Sequence, residues 1–277
     1  MKKVLTLMLA AALVAVAAAC AKKPEVTPEV KEEETAPVEE ETVPETEETA
    51  DPEENGEEEA VETPAVMTYA DYMAAELQDH VVVETYVQAK QSYYAEQGTA
   101  SIYAQDEDGA IFLYDAAVSA DDYEKLVPGT KIRVDGYKGE WSGEVEITDA
   151  TVEIIEGDGF IAEPLDVTGL LDSDELIAHQ NEFVSFKGMT VEASDDGGAA
   201  FLYKWDGSGS EGDDLYFKVS KDGKIYSFTV ESYLCDASTD VYQAVKALAV
   251  GDVIDLEGFL YWYEGANPHI TAVAAAE

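Results

Sequence analysis

The chain has 277 residues, of which 60 are Asp or Glu and 16 are Lys or Arg, giving a formal net charge of −44 at pH 7. A surface this negative repels phosphate backbones and favours cations, neutral sugars or basic peptides, so binding through phosphate neutralisation is disfavoured. Apolar residues at 46% and aromatic residues at 10% are nonetheless ample for a core.

Residues 1–19 read as a signal peptide: Lys2 and Lys3 precede an apolar run over residues 4–16 that is too short to span a bilayer. The run ends in Ala17-Ala18-Ala19-Cys20 and resembles the leader of bacterial lipoproteins. The resemblance implies cleavage ahead of Cys20 and lipid attachment to its thiol. The chain would then sit in the cell envelope, anchored on the extracytoplasmic side of a bacterial membrane. Each buried methylene adds about 0.8 kcal/mol, so two or more acyl chains anchor stably where one is marginal. Ala17 stands where leucine is usual, and Ala17-x-Ala19 also suits ordinary secretion. Cys235, the only other cysteine, then has no disulfide partner and is expected as a small buried hydrophobe.

Residues 20–66 follow as a tether. From 21 to 66 there are 18 acidic residues against three lysines, with Pro24, Pro28, Pro37, Pro44, Pro52 and Pro64 scattered through them. Such a segment cannot bury a core. Self-repulsion extends it at up to about 3 Å per residue, a reach on the order of 100 Å. Docking on a basic partner is the other use of such a run.

Two units are expected beyond it, 67–157 and 158–277, because the sequence repeats. Leu126-Val-Pro-Gly129 followed by Val134-Asp-Gly136-Tyr137 matches Leu248-Ala-Val-Gly251 followed by Leu256-Glu-Gly258-Phe259. Both stretches alternate apolar residues after a glycine turn, a strand signature. Ser119 and Ser238 are candidate caps for short helices over 120–126 and 239–248, and further short helices are expected over 68–77 and 173–179. Strands are expected over 80–90, 100–106, 110–115 and 144–155 in the first unit. Their counterparts are 183–193, 199–205, the hairpin 215–219 with 225–233, and 269–274, with an insertion near 205–214.

Three strands, a helix and two strands is the order of an OB-fold, a five-stranded Greek-key barrel. The fold class expected is therefore mainly β: two tandem OB-like barrels with short helices after an acidic linker. Val83-Glu-Thr-Tyr86-Val87, then Ile102 to Gln105 and the turn Asp106-Glu-Asp-Gly109, resemble OB domains of the anticodon-binding kind. The resemblance implies a nucleic-acid or oligosaccharide binder. Against nucleic acid, residues 67–277 hold one arginine, Arg133, and ten lysines among 42 acids.

If Val83, Val87, Ile102, Ile111 and Leu113 point inward, then Glu84, Tyr86, Gln88, Tyr103, Gln105, Phe112 and Tyr114 point outward as an aromatic and amide-rich candidate ligand face. The same face could instead pack on the second unit. The loops Lys138-Gly-Glu-Trp141 and Tyr261-Trp262-Tyr263 place a tryptophan at equivalent positions, either for ligand or as barrel plugs. Tyr203 completes the candidate set. Acidic turns at 106–109, 195–197 and 213–214 lack the ligand spacing of an EF-hand, and Gly207-Ser-Gly209-Ser-Glu-Gly212 lacks the strand and helix that its phosphate-binding look-alike needs. No metal and no cofactor are expected. Scattered histidines (His80, His179, His269) and the absence of a nucleophile motif point away from an enzyme. The expectation is an anchored, non-catalytic protein binding an extended neutral or cationic glycan or peptide. Extracellular single-stranded nucleic acid and a structural or docking role in an envelope assembly are the alternatives.

Overall fold

A computed structural model describes residues 65–276. The leader, Cys20 and the tether up to residue 64 lie outside the described residues.

The first barrel is built from β1 (His80–Lys90), β2 (Thr99–Gln105), β3 (Ala110–Ala117), β4 (Lys131–Trp141) and β5 (Glu144–Ile154), closed in the order β1-β2-β3-β5-β4. Closure depends on β1 being long enough to serve two neighbours. Its first half pairs with β4 from His80 to Tyr86, and a bulge after Val87 turns its second half onto β2. β3 and β5 run parallel, which completes the OB topology. Val83, Val87, Ile102, Ile111 and Leu113 all point into the core, as alternation predicts. The short α1 (Tyr69–Ala74) is capped by the Thr68 hydroxyl, which accepts from the Asp71 N–H, and it plugs one end with Tyr72. Lys138 donates to the Met73 and Ala75 carbonyls at the helix end, at 2.8 and 2.9 Å. Ser119 caps α2 (Ala120–Tyr123) between β3 and β4.

The second barrel repeats the plan with β7 (Phe183–Glu192), β9 (Leu215–Lys221), β10 (Lys224–Val230), β11 (Val253–Phe259) and β12 (His269–Ala275); β7 pairs with both β11 and β9, and β10 runs parallel to β12. β6 (Leu165–Asp166) and β8 (Phe201–Tyr203) extend its sheet at the two edges. The segment at 199–205 is therefore not the counterpart of β2. Only three of its residues pair, at the rim of β9, and β9 itself takes the β2 position. Two of the expected helices also differ. Residues 174–179 form a 3-10 turn, and α3 (Asp240–Lys246) starts at Thr239 without a side-chain cap, because Ser238 is held by the Asp236 carboxylate.

The glycines of the repeat have a physical reason. Gly129 and Gly251 turn the chain into β4 and β11 with φ of +89° and +96°, where a Cβ is strained. Gly136 and Gly258 sit where the same strands shift register against β5 and β12. A Cβ there would lie 2.9 Å from the Thr148 carbonyl oxygen and 2.2 Å from that of His269.

Candidate functional site

The outward face of β1–β3 is closed. Tyr103 and Phe112 are 0% and 3% exposed and form a cluster with Phe259 of the second barrel. The Tyr103 ring stacks on Phe259 at 4.4 Å, Phe112 meets Tyr261 edge-on at 5.5 Å, and Phe183 leans on Phe259 at 5.3 Å. Such ring pairs add about 0.5–1.5 kcal/mol each beyond the area they bury. The amides of this face are engaged in the same seam. Gln88 Oε1 accepts the Ala162 N–H at 2.9 Å and its Nε2 reaches the Phe160 carbonyl at 3.1 Å, which pins the connector between the barrels. Gln105 Oε1 accepts the Phe183 N–H at 2.8 Å. Tyr86 packs half-buried on Phe160. Of the seven residues expected on the outward face, five thus serve the seam or the connector, and Glu84 pairs with Lys131 at 2.8 Å. Tyr114 alone stays exposed, at 50%.

The remaining candidates divide. Trp141 is 62% exposed at the end of β4. Trp262 is partly buried against the core of the second barrel, so of the two equivalent tryptophans only the second acts as a plug. Tyr203 also packs on that core, edge-on to Phe201.

The two β-turn loops meet each other. The Glu264 N–H donates to the Ser142 carbonyl at 2.8 Å, and the Trp262 N–H donates to Glu144 Oε2 at 2.8 Å. Gln180 bridges from the other side, accepting the Val145 N–H and donating to the Gly143 carbonyl. Beside this junction opens a cleft of about 760 Å³. Trp141 from the first barrel, Trp205 from the insertion and Tyr263 from the second barrel form its mouth, 62%, 76% and 50% exposed. Tyr216 and Tyr261 line the walls, and Glu231, Asn267 and His269 line the floor. Sequence reasoning missed Trp205, Tyr216, Glu231, Asn267 and His269. The available signal was the aromatic pairing of the two loops together with a tryptophan at the start of the insertion.

The floor is electrostatically unusual. Burial raises the Glu231 carboxyl to about 7, although it accepts N–H bonds from Tyr233 and Leu234 and one from Gln91 across the seam. His269 is held neutral, its pKa lowered to about 3 by burial; its ring stacks on Tyr261 at 4.5 Å and its Nδ1 shares a 2.9 Å hydrogen bond with the Tyr103 hydroxyl. Beneath the loop junction Glu144 is fully buried and is raised by desolvation to about 8, with Oε1 lacking a hydrogen-bond partner among the described residues. Glu146 is raised by burial to about 7.

The acidic turns close on themselves. Asp106 Oδ1 accepts the N–H groups of Asp108 and Gly109, and Asp195 Oδ1 accepts that of Ala199. Cys235 is buried, and burial pushes its thiol up to about 12, an inert side chain.

No protein-family model matches the chain, and no curated protein matches it. Similar solved structures include a murine DNA-binding protein bound to double-stranded DNA, at 13% identity over 71% of this chain and 96% of that one, with a TM-score of 0.35. The p204 HINb domain is similar at 13% identity, 72% and 98% coverage and a TM-score of 0.33. A replication protein A heterotrimer bound to single-stranded DNA is similar at 13% identity, 70% and 49% coverage and a TM-score of 0.30. The OB assignment stands on the strand order of the two barrels, and these likenesses carry no argument about ligand.

Proposed function

We propose that this chain is a lipid-anchored, non-catalytic envelope protein whose paired OB-like barrels take a neutral or cationic ligand, a glycan or a peptide, in the aromatic cleft. The observation that carries the reading is the set of exposed rings, Trp141, Trp205 and Tyr263, gathered from three separate segments around one opening. Exposed aromatic side chains clustered at a concave surface are the usual mark of a binding site rather than of packing. Ring faces stack on sugars, and they also attract cations. The seam gives the cleft fixed walls, since its residues come from both barrels. Cys20, when lipidated, would hold this head at the end of its acidic tether, away from anionic headgroups that repel it.

Single-stranded nucleic acid, which OB-folds also bind, is the rival. The cleft disfavours it: none of the lysines or arginines of the described residues lines the opening. Titration of the intact chain with neutral oligosaccharides and with lysine-rich peptides, followed by tryptophan fluorescence, tests the reading. Saturable quenching that Trp141→Ala removes is expected. No response to either class, with retardation of single-stranded DNA at low salt, would transfer the function to nucleic acid.

A further inference from the structure

The chemistry of the cleft narrows its ligand further. Resting on the reading that the cleft is a binding site, we propose that it is an aromatic cage for an organic ammonium group, with Glu231 as the counter-charge.

Four observations lead there. The rings at the mouth present π faces, which are negative at their centres, and five aromatic side chains from four segments surround the opening. Among the described residues, the only acidic side chain in the lining is Glu231, 9% exposed and held in place by the backbone N–H groups of Tyr233 and Leu234. Two further polar atoms of the floor are engaged within the protein: Asn267 Oδ1 accepts the Thr229 hydroxyl at 2.9 Å, and His269 Nδ1 is bonded to Tyr103. An ammonium needs ring faces and one anion, and the lining supplies both. Finally, none of the lysines or arginines among the described residues lines the site. Lys204, next to Trp205 in the chain, is paired with Asp213 at 3.5 Å.

Glu231 owes its position to the seam, since Gln91 of the first barrel reaches its Oε2 at 3.1 Å. The anion of the cage is therefore set by one barrel, and its rings come from both. Burial raises the Glu231 carboxyl, and the donors that face it, the Tyr233 and Leu234 N–H groups and the Gln91 amide, are neutral, so a bound cation supplies the charge that favours its ionised form.

The same chemistry is found in a quaternary ammonium and in the protonated amine of a lysine side chain, and one experiment separates them. The intact chain is titrated with choline, with Nα-acetyl-lysine amide, with 3,3-dimethyl-1-butanol as the uncharged isostere of choline, and with maltotriose, while the tryptophan indole resonances are followed. A cation binding at least ten-fold tighter than the uncharged isostere is expected, and the tighter of the two cations identifies the source. Glu231→Gln should reduce that preference to under three-fold. Because Glu231 also holds backbone groups, Trp205→Ala provides a second arm: it lies at the exposed mouth, and it should weaken the cation ten-fold without changing the fold. Equal affinity for choline and its isostere, or binding of maltotriose alone, overturns the cage but leaves the cleft a binding site. No indole shift with any of the four overturns both.

Discussion

Glu144 offers a demanding test of how the two barrels are joined. It is fully buried beneath the meeting loops, where desolvation raises its carboxyl from an ordinary 4.5 to about 8. The folded state therefore holds a proton that the unfolded chain releases near pH 4.5. For a group raised in this way, stability is fully present below about pH 4.5 and is lost as pH rises through about 8. At about 1.4 kcal/mol per pH unit, a separation of roughly 3.5 units corresponds to about 5 kcal/mol. In Glu144→Gln the amide imitates the protonated acid: its oxygen can still accept the Trp262 N–H, and it cannot ionise. Urea unfolding of the wild type and the variant at pH 5, 7 and 9 reads the difference directly. The two should be close at pH 5, and the variant should be more stable by about 5 kcal/mol at pH 9. For a folded body of about 200 residues that is roughly 10–20 °C in Tm. Parallel pH profiles would refute the reasoning, because they would mean that Glu144 is ionised in the folded protein.

Four further expectations follow from the same geometry. Tyr103→Ala removes the central ring of the seam and should cost about 3–5 kcal/mol in denaturant unfolding, whereas Tyr114→Ala, on the same strand face but exposed, should stay within about 0.5 kcal/mol. Gly258→Ala places a methyl 2.2 Å from the His269 carbonyl oxygen and should prevent cooperative folding of the second barrel, seen as loss of its dispersed methyl resonances. Trp205→Ala should leave Tm unchanged, since the side chain is 76% exposed, while weakening ligand binding measured by calorimetry. Cation affinity should fall by up to about ten-fold per pH unit below 7, as Glu231 takes up its proton. The groups around that carboxylate are Asp214, Tyr216, Tyr261, Tyr103, Cys235, His269 and Gln91. A calorimetric pH series on the wild type and Glu231→Gln isolates its contribution.

The repeat around Gly129 and Gly251 made the two barrels legible in the sequence, because turns and bulges demand glycine at fixed offsets and strands demand alternation. Alternation also placed Val83, Val87 and Leu113 inside correctly. It could not decide what covers the other face. Tyr103 and Phe112 meet Phe259 about 150 residues later in the chain, and a strand that is apolar on both faces reads the same whether a ligand or a second barrel covers it. The insertion hid the rest. Residues 199–205 have a strand pattern, but only three pair, at an edge, because the adjoining loop folds back: the Gly209 N–H donates to the Tyr203 carbonyl. That fold-back carries Trp205 to the mouth of the cleft, a position set by long-range packing rather than by local spacing.

The three tryptophans of the chain provide the most direct test of the cleft as the binding site. Trp141 and Trp205 line it, and Trp262, packed against the second core, serves as an internal control. In a two-dimensional nitrogen–proton spectrum of the intact chain titrated with choline, the indole resonances of Trp141 and Trp205 should move together along one saturation curve while that of Trp262 stays fixed. Movement of all three in parallel, or of none, would contradict the account.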